Sequence, residues 1–215
     1  DIVSVVGPLT KYAVCLLDPQ RVRYELEKAL HLFWRKGYEG TSLTELTEAM
    51  AINRPSLYAA FGNKEELFRR VCERYGERAD HLDKACALPT AREAVETFLR
   101  GAAEHMLHPE HAGCLLVTSC LAGGDESERA RQVLSDARRA TVERWRARFE
   151  QARQEGELPP DADPVALAHY VMAISHGMTV HARSGASREA LRGIAELALR
   201  ALPSPAPRRS GARAR

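Results

Sequence analysis

The chain has 215 residues, 45% apolar and 28% charged, the balance of an ordinary globular protein with enough length for a substantial core. Its net charge of +2 and pI near 8.3 exclude a strong global basic field, so any affinity for nucleic acid has to come from charge placed locally. No apolar run reaches the roughly 18 residues of a transmembrane helix, so no membrane contact is expected. Five cysteines, an odd number without a CxxC pair, argue against a disulfide scaffold and for a reducing cytosol.

Residues 1–17 are mildly apolar, carry a Gly7-Pro8 turn signal and lack the basic segment of a signal peptide; they stand apart as an N-terminal extension of unknown role. Asp18-Pro19 opens the first helix as an N-cap acid followed by a proline at the first helical position. Val22, Leu26, Ala29, Leu30 and Phe33 form its apolar face, and Gly37 stops it. Thr41 or Ser42 then caps a short helix carrying Leu43, Leu46 and Met50.

After the tight turn Ala51-Ile52-Asn53, Asn53 caps a second short helix, Arg54 to Phe61, with Pro55 in the first turn, where a missing N–H costs little. Leu57 and Phe61, four apart, anchor it on one face. Asn53, Arg54, Ser56 and Tyr58 then point away from that anchor, all able to hydrogen-bond to nucleic acid. Gly62 ends the helix and Asn63 caps the next. Two short helices across such a turn, at about residues 42–61, make a helix-turn-helix whose second helix reads the major groove.

The run from Leu32 through Gly37, Gly40, Thr41, Ser42 and Leu43, followed by Ala51 to Phe68, resembles the TetR family of transcriptional repressors, and the resemblance spans roughly Pro19 to Tyr75. It implies an all-α protein: a helix-turn-helix DNA-binding domain over 18–63, a helical regulatory and dimerisation domain over 64–202, and a basic tail over 203–215 expected to be disordered. It also implies roles residue by residue. Arg54 is the base reader, since a guanidinium pairs bidentately with guanine. Pro55 and Ser56 stand at groove contacts, with Asn53 beside them. Tyr58 and Lys64 match positions that hold the phosphate backbone, and Thr41, Ser42 and Thr44 sit at a helix start that favours phosphate. Ala60 departs from the family, which often has a polar residue there.

Beyond Lys64 the spacing predicts one long helix to about Cys86, roughly 33 Å, linking the two halves. Helices follow over Ala91 to about His108 with Thr90 as cap, within Ala112–Leu121, over Glu126 to about Glu155, from Asp163-Pro164 to Ser184, and from Ser187 to Leu202. Phe98, Met106, Leu116, Cys120, Trp145, Tyr170 and Met172 are expected to line an apolar pocket. The helix after Pro164 is apolar or small on more than one face, as a doubly buried helix is.

Other chemistry finds little footing. His169 and His176 share a face but stand roughly 10 Å apart along a helix, too far for one metal ion. Cys114 and Cys120 lie on different sides of a helix and read as small buried hydrophobes. Gly123-Gly124 is too short for a phosphate loop, and no nucleophile–base pair stands at a useful spacing. No cofactor, no metal and no enzymatic activity are therefore expected. The leading expectation is a cytoplasmic homodimer on a double-stranded inverted-repeat operator, released by an apolar small-molecule effector. The alternatives are an all-helical enzyme and a constitutive DNA-binding protein with a filled core.

Overall fold

The structure, a computed structural model, describes residues 19–78, 81–108, 112–121 and 128–204. The expectations for residues 1–17, the Asp18 cap, the Gly123-Gly124 loop, the tail from 205 and the Cys120 side chain lie outside the described residues. Ten helices and no strand occur among them. They are α1 Pro19–Lys36, α2 Leu43–Ala49, α3 Arg54–Phe61, α4 Lys64–Arg78, α5 His81–Cys86, α6 Ala91–His105, α7 Leu115–Leu121, α8 Glu128–Gln154, α9 Pro164–Arg183 and α10 Arg188–Arg200.

Local chemistry sets most of the boundaries. Ser42 and Glu45 form a capping box at α2, and Thr90 and Glu93 form another at α6. Asn53, Asp163 and Ser187 cap α3, α9 and α10 through their side chains, with proline in the first turn of α3 and of α9. α4 and α5 cover the span of the long helix expected from Lys64 to Cys86, with residues 79 and 80 outside the described set. α6 stops at His105 rather than near His108, because the Gly113 N–H turns back to the Met106 carbonyl at 2.9 Å.

Two cores hold the chain. The first gathers Leu30, Phe33, Leu46, Leu57, Phe61 and Phe68 around edge-on ring contacts such as Phe33–Phe68 at 5.0 Å, and it takes in Leu115, Ala130 and Leu134 from α7 and α8. Full burial of Leu57 and Phe61 contributes about 1.5–3 kcal/mol each, which holds a helix of only 8 residues that would be marginal alone. The second core joins α6, α8, α9 and α10 through Leu99, Trp145, Phe149, Val171, Met178 and Leu191.

Two side chains, Trp34 of the first core and Arg183 of α9, fasten the two halves. The Trp34 indole Nε1 donates to the Gly113 carbonyl at 3.1 Å, and the Trp34 ring meets Tyr75 of α4 edge-on at 4.9 Å. Arg183, at the end of α9, donates to the carbonyls of Ala112 and Arg35, each at 3.4 Å. Gly113 has φ +86°, and a Cβ there would come within 2.7 Å of Thr179 Cγ2, so the close approach of this loop to α9 requires glycine.

Candidate nucleic-acid interface and cavity

α2 and α3 meet through the turn Met50–Asn53, where Ala51 takes φ +51°. The Asn53 side chain accepts from the Ser56 N–H at 2.8 Å, so its first duty is the cap. Arg54, Pro55 and Tyr58 stand exposed on α3, Tyr58 at 46%. Arg54 Nη2 donates to the Thr44 hydroxyl at 3.0 Å, so the guanidinium is steered along the start of α2 and keeps four other N–H groups for a base or phosphate. Lys64 lies at the start of α4 with its ammonium 4.2 Å from the Tyr38 ring centroid, a cation–π contact that directs it beside α3.

Two residues expected at this surface are turned away from it. Thr41 is fully buried, and its hydroxyl donates to the Gly37 carbonyl at 2.7 Å; the cap of α2 is Ser42, not Thr41, and no Thr41 hydroxyl is offered to a phosphate. Ser56 is buried as well, because it follows the cap on the inward side of α3. Ser42 is exposed but shares its hydroxyl with the Glu45 carboxylate. Hydrogen bonds from Lys36 and from Ser42 hold the Glu45 carboxyl down at about 2, so it stays ionised beside this surface.

Between the two cores a cavity of about 350 Å³ opens among α4 to α9. Phe98, Met106, Leu116 and Met172 line it, as expected. Trp145 and Tyr170 do not. Trp145 is fully buried one ring behind the wall, 5.2 Å from Phe98 and stacked on Phe149 at 5.6 Å, and the Tyr170 hydroxyl donates to the Ala198 carbonyl at 3.2 Å. The expected lining was apolar, with few charges. The actual one adds Cys72, Tyr75 and Cys114, then His81, His105, Arg138, Arg144 and His176. Arg138 and His176 had a signal in the sequence: each interrupts a buried stripe, Leu134–Arg138–Trp145 on α8 and Met172–His176–Thr179 on α9.

The Tyr75 hydroxyl donates to Cys114 Sγ at 3.3 Å across the cavity wall. Burial, reinforced by Cys114, pushes the Tyr75 phenol well up and lifts the Cys72 thiol to about 12, so both stay neutral near pH 7. Burial and the nearby Arg138 charge lower His176. Among the described residues no group of three His, Cys, Asp or Glu side chains converges as a metal site, and no helix is long and apolar enough to cross a membrane.

A helix-turn-helix on one core, joined through α4 to a second helical core with a cavity between them, defines a DNA-binding regulator of transcription. Family models match at both ends: the tetR family of bacterial regulatory proteins over residues 26–71, and the tetracyclin repressor-like C-terminal domain over 87–198. The chain is 38% identical over 183 residues to the HTH-type transcriptional repressor ComR of Escherichia coli (strain K12), covering 83% of this chain and 87% of ComR. It is 28% identical over 170 residues to the HTH-type transcriptional repressor BdcR of the same strain, covering 78% and 81%. A cysteine mutant of the TetR family regulator CifR, complexed with 26-bp double-strand operator DNA, superposes with a TM-score of 0.80 at 40% identity, over 84% of this chain and 96% of that one. The chain belongs to the TetR family of transcriptional regulators, whose members are not enzymes.

Proposed function

We propose that this regulator is a cytoplasmic homodimeric repressor that holds an inverted-repeat operator and releases it when an apolar small molecule fills the cavity. The observation that carries this reading is the dual duty of α4: Lys64 at its start faces the DNA side, and Cys72, Tyr75 and Gly76 further along form cavity wall. An occupant that shifts this wall also shifts the reading head. Arg54 reads a base, while Tyr58, Lys64, Ser42 and Thr44 hold the backbone. The volume sits at the low end of the roughly 300–1,000 Å³ of small-molecule pockets, which favours an effector over a filled core.

A second copy supplies the dimer. Ala166, His169, Ala173, Gly177 and Val180 form an exposed stripe of mostly small residues along α9, beside Ala190 and Leu197 of α10. Leu197 is 64% exposed and Val180 45%, a cost for a monomer that a twofold four-helix contact removes. A twofold then sets two α3 helices about one DNA turn apart, roughly 34 Å or somewhat more.

The test is a thermal-shift screen of small molecules, followed by calorimetry on each hit with and without operator. Effector and operator each weaken the other by the same factor if they favour different states. Hits that bind free and DNA-bound protein equally overturn the release mechanism.

A further inference from the structure

The cavity lining carries an asymmetry of charge that an apolar effector leaves unexplained. Two guanidiniums, Arg138 and Arg144, and three imidazoles, His81, His105 and His176, border it, and no carboxylate is among its described lining residues. Arg144 has its counter-ion in Asp83. Arg138 has none among the described residues. Asp136, the acid nearest to it on α8, is taken by Arg139 and Gln132. Arg138 is half-buried in a stripe that otherwise holds Leu134, Thr141 and Trp145, and His176 on α9 lies close enough to feel its charge. Holding a cation against an apolar wall without an anion is costly, and the cost falls when an anion arrives with it.

We propose that the effector is an amphipathic monoanion, its carboxylate held by Arg138 with His176 beside it and its apolar body laid against Phe98, Met106, Leu116 and Met172. This rests on the reading of the cavity as the effector site and names the chemistry that site selects. A guanidinium offers a forked pair of donors that match a carboxylate in geometry as well as charge. A neutral amide of the same shape keeps the apolar contacts but loses the charge-assisted bonds and leaves Arg138 desolvated.

The test uses the full-length protein with medium-chain fatty carboxylates and phenylalkanoates, each compared with its own primary amide by calorimetry. The carboxylates are expected to bind roughly ten- to a hundredfold more tightly than their amides. Arg138→Gln is expected to remove most of that ratio by weakening the carboxylates and not the amides, whereas an indirect structural effect on the cavity weakens both. Arg138→Lys is expected to restore part of it. Amides that match their carboxylates and still displace operator overturn the anion assignment while the effector-cavity reading stands. Failure of every probe, charged and neutral, to bind overturns both.

Discussion

The Trp34 indole on α1 donates to the Gly113 carbonyl at 3.1 Å, tying the DNA-reading core to the loop that packs against α9. The same ring lies edge-on to Tyr75, so one side chain touches two parts of the cavity wall, Tyr75 and Gly113. Trp34→Phe keeps the ring and removes the donor, leaving a buried carbonyl unpaired. Urea denaturation is expected to give a loss of about 1 kcal/mol. The factor by which an effector weakens operator binding is expected to fall as well. An unchanged midpoint with an unchanged factor would rule out this contact as a coupling element. Since the chain has two tryptophans, the variant also leaves Trp145 alone to report on the cavity through Phe98.

At the DNA surface Arg54 and Lys64 are proposed to do different work. Arg54→Ala is expected to relax preference at one base position, costing about 1–3 kcal/mol there. Lys64→Ala is expected to weaken specific and scrambled DNA alike and to lower the salt slope by about one, since a phosphate contact carries no base information. Binding to both DNAs at two salt concentrations separates them, and an exchange of the two phenotypes would reverse the assignment.

The proposed dimer rests on an exposed face of α9 and α10. Leu197→Glu sets two like charges near a twofold axis, where self-association has to desolvate them. Light scattering is expected to move from dimer to monomer at micromolar concentration, with operator affinity falling and helicity retained. A wild-type protein that is monomeric at that concentration contradicts the arrangement.

Cys72 offers a pH test. Its thiol is raised to about 12 mainly by burial, whereas an unfolded cysteine titrates near 8.5. The folded state therefore keeps its proton where the unfolded state loses it. The resulting stabilisation is complete below about 8.5 and is lost as pH rises from there toward 12. Iodoacetamide mapped by mass spectrometry is expected to label Cys72 slowly at pH 8 and much faster in urea. Equal rates in the two conditions would show an ionised, accessible thiol.

How legible this was in the sequence depended on whether the cause was local. Asn53, Thr90, Asp163-Pro164 and Ser187 mark their helix starts because a cap and its amide lie within three residues. The choice between Thr41 and Ser42 turned on a contact behind the helix rather than on the cap itself. Thr41 is drawn inward by the Gly37 carbonyl four residues back, and Ser42 makes the cap. The cavity was least legible, since α4, α6, α8 and α9 meet there from distant parts of the chain. Trp145 looked like a lining residue because of its size, yet a large ring between Phe98 and Phe149 is what a core uses to close itself. Arg138 and His176 were visible only as interruptions of apolar stripes.

The central claim, that a twofold dimer reads DNA through α3, is tested most directly by selecting bound DNA from a random pool and sequencing it. The account expects an inverted repeat with half-site centres about one helical turn apart or somewhat more, and blurring at the same position in both half-sites with Arg54→Ala. Enrichment of a single asymmetric site, or of no sequence at all, contradicts it.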